Sequence, residues 1–188
     1  YANSLARHSY ILSLDADETL TDELRADIAR RKSAGFRGAY RVKRLTNYCG
    51  AWVRHGGWYP DAKVRLFPKE GATWHGDHVH EELVLPEGCE VSELQGDLHH
   101  YSYHSVQDHR DRIERYSTLH ARAMLERGRM APVWKRLLAP VFKFLQGYLL
   151  LGGFLDGVAG WRIATLSARA VRLKYSKLHK LLHQHAIA

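Results

Sequence analysis

The spacing of apolar and polar positions changes several times along the chain, and each change marks an element. Residues 3–8 read as the end of a helix. Ser9–Leu14 reads as a strand, because its run is nearly all apolar and stops at Asp15. Thr21 offers an N-cap hydroxyl, with Asp22 and Glu23 in a first turn whose unpaired amides favour anions. Leu24, Ile28 and Ala29 give that helix an apolar stripe, and Gly35 is placed to close it. Tyr40 and Val42, then Val64 and Leu66, alternate with charged residues and predict half-exposed strands. Residues 47–61 mix glycine and aromatics without a period, predicting either a shaped loop that cradles a planar or sugar-like ligand or a plain hairpin. Ser105 and Asp108 predict a capping box for a helix with Val106, Ile113, Tyr116 and Ala123 on its inner face and Gly128 at its end.

The last third of the chain has a different pattern. Phe142–Leu166 is largely apolar, but Lys143, Gln146, Asp156 and Arg162 interrupt it, together with Gly147, Gly152, Gly153, Gly157 and Gly160. A crossing helix needs about 20 nearly unbroken apolar residues. The pattern therefore predicts amphipathic helices lying in a membrane surface, with Lys143, Arg162, Arg169, Arg172 and Lys177 touching lipid phosphates. The formal net charge of +8 supports this, because it is unevenly spread. Residues 129–188 carry ten Lys/Arg and one acid, Asp156, whereas the first 128 carry eighteen basic and nineteen acidic residues. We therefore expect a near-neutral body over 1–128 and a basic helical tail over 129–188 that meets an anionic partner, a membrane surface or nucleic acid, the alternative being a helical hairpin packed on the domain with a solvated basic face.

The 188 residues suffice for one domain with an appendage, and the 45% hydrophobic content supports a real core. Two cysteines, Cys49 and Cys89, supply neither a disulfide framework nor a Cys-based zinc site, which fits a reducing compartment. The polar start carries no signal-peptide pattern, and the early core strand without an initiator Met predicts a sequence that begins mid-domain.

Candidate chemistry centres on Asp15, Asp17 and Glu18, where the first strand ends. Two carboxylates at that spacing suit Mg²⁺ or Mn²⁺, with a substrate pyrophosphate filling the coordination shell. One imidazole from His99, His100 or His104 would complete the site. A second polar cluster contains His75, Asp77, His78, His80, Glu81 and Glu82, and either glutamate suits a general base for an acceptor hydroxyl. Metal, base and a stabilised leaving group together describe group transfer from an activated phosphate donor. Residues 15–19 also fit the D-x-D-x-T signature of haloacid dehalogenase-like phosphatases, with Asp15 as nucleophile and Asp17 as acid/base. Against that reading, no apolar strand leads to a suitable Lys, and histidines flank the Glu81-Glu82 pair. A third class is a non-enzymatic basic membrane- or nucleic-acid-binding protein whose acids are structural.

The clusters taken in order resemble something more specific. Ile11-Leu12-Ser13-Leu14-Asp15-Ala16-Asp17-Glu18 comes first, then Arg54-His55-Gly56-Gly57-Trp58-Tyr59-Pro60-Asp61 with Arg65-Leu66-Phe67. Val79-His80-Glu81, His100-Tyr101-Ser102-Tyr103, Gly153–Gly160 and Lys174–Leu178 follow. This series resembles family 2 glycosyltransferases of the GT-A fold, and within them the bacterial lipopolysaccharide-core β-glucosyltransferases. The resemblance implies an α/β, partial GT-A (Rossmann-like) mixed sheet without its N-terminal nucleotide-binding half, followed by the helical amphipathic extension. It implies an inverting transfer of a hexose, glucose first, from a UDP-sugar to a lipopolysaccharide-core or other lipid-linked glycan at the cytoplasmic face of the bacterial inner membrane. Nucleic acid is not expected as a partner. Asp15 and Asp17 would bind metal and donor diphosphate, His100 would assist them, and Glu81 would be the base, with Glu82 its competitor. Arg54, Gly57, Trp58 and Tyr59 would line the donor/acceptor side. Without the nucleotide-binding half, these residues alone are expected to be weakly active or inactive.

Overall fold

The computed structural model describes residues 2–75 and 82–187. In chain order they form α1 (Ala2–Leu5), β1 (Tyr10–Leu12), β2 (Glu18–Leu20), α2 (Asp22–Ala34), β3 (Ala39–Tyr48), β4 (Ala51–Val53) and β5 (Asp61–Pro68). Next come β6 (Thr73–His75), β7 (Glu82–Val84), β8 (Val91–Tyr103), α3 (Val106–Glu126), α4 (Val133–Leu145) and α5 (Gly157–Ile187). A π turn over Gln146–Leu150 and a 3-10 turn over Gly153–Asp156 separate the last two helices. The chain is α/β and divides into two compact units: Tyr1–Leu45 with Pro60–Tyr101, and Thr46–Tyr59 with Ser102–Ala188.

The first unit is built on a sheet of order β1-β5-β3-β8-β2, in which β1–β5, β3–β5 and β2–β8 are antiparallel. Its core is Leu24, Tyr40, Val42, Leu66, Leu94 and Leu98, and each such side chain contributes roughly 1.5–3 kcal/mol by leaving water. Tyr40 and Val42 are buried with Arg41 exposed between them, the expected alternation of a half-exposed strand, whereas in β5 Arg65, Leu66 and Phe67 are all buried. Helix α2 starts as predicted, with the Thr21 hydroxyl accepting the Leu24 amide, and stops at Gly35, whose φ of 83° suits glycine. Its inner face differs from the expected one. Ala29 is exposed and Asp27 is buried instead, accepting the Gln95 amide at 3.0 Å and Arg31 Nε at 2.9 Å, with Arg30 alongside. Burial pushes the Asp27 carboxyl up, but these donors outweigh it and hold the group below its usual range.

In the second unit residues 46–53 are a hairpin, with Thr46 opposite Val53 and Tyr48 opposite Ala51. Cys49 and Gly50 have φ of 52° and 90°, the left-handed pair whose twist matches two-residue hairpins. The expected ligand-cradling loop therefore shrinks to the residues after β4. Helix α3 has the predicted capping box at Ser105 and Asp108, but its buried side chains are His109, Ile113, Ser117 and Ala121. Tyr116, predicted to face inward, is exposed, because the inner face follows the i, i+4 series from His109. Tyr48, Val53, Ala159 and Ile163 form the core beside this helix, with Trp58 and Tyr103 packed on them. Lys177 donates to the carbonyl and carboxylate of Glu114 and to the hydroxyls of Ser117 and Thr118, so this ammonium serves α3–α5 packing.

The break between α4 and α5 depends on close backbone approach. A Cβ on Gly153 would lie 2.6 Å from the Gly147 carbonyl oxygen, and one on Gly160 would collide with the Gly153 carbonyl. Gly160→Ala should therefore lower stability by about 1–3 kcal/mol in chemical denaturation, whereas Gly128→Ala, which meets no atom, carries only backbone strain.

The Tyr48 hydroxyl lies 3.1 Å from His109 Nδ1. Burial raises the phenol to about 12, and burial with help from Arg112 lowers the imidazole to about 4. The folded pKa of His109 lies below the unfolded value near 6.5, so the neutral ring's contribution is complete above that pH and is lost as pH falls toward 4. Unfolding free energies at pH 7 and pH 4 should differ by about 3 kcal/mol from this group, and His109→Gln should flatten that slope.

Candidate functional site

Strand β1 ends at Leu12, and the Ser13 amide still donates to the Arg65 carbonyl at 2.8 Å. The chain then turns. The Glu18 amide donates to the Asp15 carbonyl at 3.0 Å, and the Asp15 amide donates to Glu18 Oε2 at 3.0 Å. The predicted carboxylates therefore sit on a turn that carries the chain from β1 to β2, the two edge strands of the sheet, each paired antiparallel with its one neighbour, and not at the tip of a buried parallel strand. Glu18 is their internal clamp. Its side chain has no exposed surface and receives Arg65 Nη2 at 2.5 Å and Arg44 Nη1 at 3.3 Å.

The two aspartates face outward by comparison. Asp15 Oδ2 takes a hydrogen bond of 2.6 Å from Arg65, and Asp17 Oδ2 lies 3.3 Å from His100 Nε2. Register brings the last pair together: β2 places Glu18 opposite His100, and the Tyr101 amide donates to the Asp17 carbonyl at 2.8 Å. Burial first, and the Arg44 charge second, hold the His100 imidazole below its usual pKa against the pull of the three acids. Its Nδ1 is buried without a hydrogen-bond partner. Arg44 is itself held by Asp61, through Nε at 2.9 Å and Nη2 at 2.5 Å to one carboxylate oxygen, because β3 and β5 pair these residues directly. The guanidinium pair favours the Asp61 carboxylate over the cost of its burial and keeps its pKa below the usual range.

Among the described residues no three His, Cys, Asp or Glu side chains converge as a ready metal cluster. The donor types nevertheless fit the expected Mg²⁺ or Mn²⁺: two partly exposed carboxylates and one imidazole biased toward its neutral, ligating form. Arg44 and Arg65 are the site residues that sequence reasoning missed. Their signal was present in part, since each lies on a strand that alternates charged with apolar positions.

Glu81 lies outside the described residues. Glu82 opens β7, exposed, in register with His75 on β6. Arg54, Gly57, Trp58 and Tyr59 belong to the second unit, as do all five predicted lipid contacts, Lys143, Arg162, Arg169, Arg172 and Lys177. Arg54 covers the Tyr59 ring at 5.7 Å, and Trp58 packs edge-on against Tyr48 at 5.9 Å, so the Trp58 indole is part of the local core. His55, Gly57 and Trp58 line a cavity with Lys143, Gln146 and Ser167. Asp156, read from sequence only as an interruption of an apolar run, anchors this loop. Its carboxylate accepts the amides of Arg54 (3.2 Å) and His55 (2.8 Å) and pairs with His55 Nδ1 at 2.9 Å.

Two proteins are similar to this chain over nearly all its length. Both are named as uncharacterized glycosyltransferases, one from Rickettsia typhi and one from Rickettsia prowazekii. Each is 23% identical over 191 residues, covering 96% of this chain and 65% of the relative. The chain thus spans a little under two thirds of the length of the curated relatives it matches. No family model and no solved structure matches it.

The clamp can be tested apart from any reaction. Arg65→Met leaves the buried Glu18 short of its nearest cation and should lower unfolding free energy by about 3–5 kcal/mol in urea titration.

Proposed function

We propose that this chain is the C-terminal part of an inverting, metal-dependent GT-A glycosyltransferase of family 2. It would move a hexose, glucose first, from a UDP-sugar to a lipid-linked glycan such as a lipopolysaccharide core. The setting would be the cytoplasmic face of a bacterial inner membrane. The observation that carries this reading is the Asp17–His100 pair at 3.3 Å, because two residues far apart in sequence meet where a diphosphate site was expected. The relatives named as glycosyltransferases support the reaction class.

In this reading Asp17 and His100, with the outer oxygen of Asp15, would hold Mg²⁺ or Mn²⁺. A cation bound there would supply charge for the departing diphosphate. Arg65 fixes the Asp15 carboxylate, and Glu18 fixes the turn that carries both aspartates. Glu81, or Glu82 in its place, would take the proton of the acceptor hydroxyl. The new bond then forms at the anomeric carbon as the bond to the phosphate oxygen breaks and UDP leaves. Arg54, Gly57, Trp58 and Tyr59 would belong to the acceptor side.

UDP release from UDP-glucose with Mn²⁺, measured on the longer protein with a nucleotide-binding half that this reading implies, is the direct assay. Asp17→Asn and His100→Ala should each reduce it about 10²-fold or more, with folding retained by circular dichroism. Phosphate-ester hydrolysis that survives Asp17→Asn and vanishes in Asp15→Asn would replace this reading with a phosphatase.

A further inference from the structure

The amphipathic logic of the second unit is inverted between residues 130 and 161. Helix α4 has no buried residue. Trp134, Leu137, Leu138, Val141 and Leu145 repeat at helical spacing, and all of them are exposed. The turns that follow continue this surface: Leu150 is 75% exposed, Leu155 62% and Val158 66%. A contiguous apolar surface of this kind marks an interaction site.

Charge distinguishes the kinds of partner. No charged residue occurs from Phe144 to Leu155; Lys143 precedes the stretch, and Asp156 and then Arg162 follow it. The lone acid of residues 129–188, Asp156, is turned inward, with its side chain 6% exposed against His55 and two backbone amides. The outer face therefore shows hydrocarbon and cations without an exposed carboxylate. Trp134, under the Lys135 ammonium at 5.3 Å, and Trp161, against Phe144 and Tyr148 at 5.3 Å each, bracket the apolar stretch in sequence, and both are exposed. Indole rings and cations flanking an apolar stretch match the boundary between anionic headgroups and acyl chains. A protein partner would need a matching acidic rim around an apolar centre, which an anionic bilayer presents everywhere on its surface.

Length and shape decide how deep the surface goes. Among the described residues no single helix is long and apolar enough to cross a membrane. The segments Val133–Leu150 and Gly153–Gln184 bend by 73° at their break. Asp156 fastens that bend to the loop at residues 54–55, and the Gly153–Gly160 approach keeps it tight.

We infer that the bend between α4 and α5 is a wedge that enters one leaflet of an anionic bilayer, with Leu150, Leu155 and Val158 among the acyl chains and the α4 stripe along the headgroup boundary. The wedge docks without spanning, and its apolar insertion is distinct from attraction between surface cations and headgroups. It holds whether or not the first unit transfers sugars.

Flotation with vesicles of phosphatidylglycerol and phosphatidylethanolamine tests it. The protein should float with these vesicles, retain a substantial bound fraction in 0.5 M NaCl, and show tryptophan quenching by lipids brominated on the acyl chain. Leu150→Glu with Leu155→Glu should reduce the bound fraction at least tenfold with an unchanged far-UV spectrum. Arg169→Ala with Arg172→Ala should weaken binding to these vesicles while leaving the acyl-chain quenching of the bound fraction in place. The inference is overturned if the wild-type protein fails to float, or if the glutamate variant floats as well as wild type. It is also overturned if sedimentation velocity shows a dimer that the glutamates dissociate while vesicles go unbound, since the surface would then belong to a second copy. In the longer protein that the transferase reading implies, UDP release toward a soluble acceptor should be the same with and without the two glutamates, so loss of docking and loss of the transferase reading are separable.

Discussion

Glu18 is a carboxylate with no exposed side-chain surface, and three donors converge on it: Arg65, Arg44 and the amide of Asp15. Removing a charged group from water costs several kcal/mol, and only good geometry with further hydrogen bonds repays it. The first unit meets that requirement by committing three strands. Arg65 comes from β5, Arg44 from β3, and Glu18 itself opens β2. Once they are locked, the turn at residues 15–18 has one shape. Asp15 is tied to Arg65, Asp17 is set beside His100, and both keep oxygens toward solvent. The outer acids suit ligand chemistry because the inner acid has absorbed the structural role.

A second sequestered acid organises the other unit. Asp156 accepts two consecutive backbone amides and the His55 ring, which joins a loop after β4 to the turn before α5. The same contact removes the lone negative charge from an otherwise basic, apolar tail. One hydrogen-bonded carboxylate thus fixes the bend and leaves its outer surface suited to lipid. The glycines at 147, 153 and 160 serve this bend by letting three stretches of backbone approach within contact distance.

The relatives named as glycosyltransferases support the proposed reaction class, and the Asp17–His100 pair is the geometry on which the proposed site rests. The first comes from similarity along the chain, the second from strand register. In the proposed reading the ligand is a nucleotide-sugar diphosphate, a dense anion, and the outer carboxylates would take a cation beside guanidinium groups that balance them. The proposed lipid-linked acceptor and the proposed bilayer docking would go together, because an enzyme held at a bilayer shares a surface with such a substrate.

The sequence by itself determined whatever depends on neighbours a few residues away. The Thr21 cap, the Ser105–Asp108 capping box, the Gly35 stop and the helical tail all follow from local donors, acceptors and period, and they stand as expected. It also located the Asp15–Asp17 turn, because an apolar run that ends in acids is a local signal. Tertiary structure alone decided which partner each of those acids takes. That Glu18 is clamped, that Asp17 meets His100, that Asp156 reaches His55 and that Lys177 turns onto α3 depend on strand register and helix packing between distant segments. Register is fixed by the burial of a whole face at once. Spacing along the chain carries no record of it, so an acid that caps, binds a metal or holds a loop reads the same until its neighbours across the sheet are known.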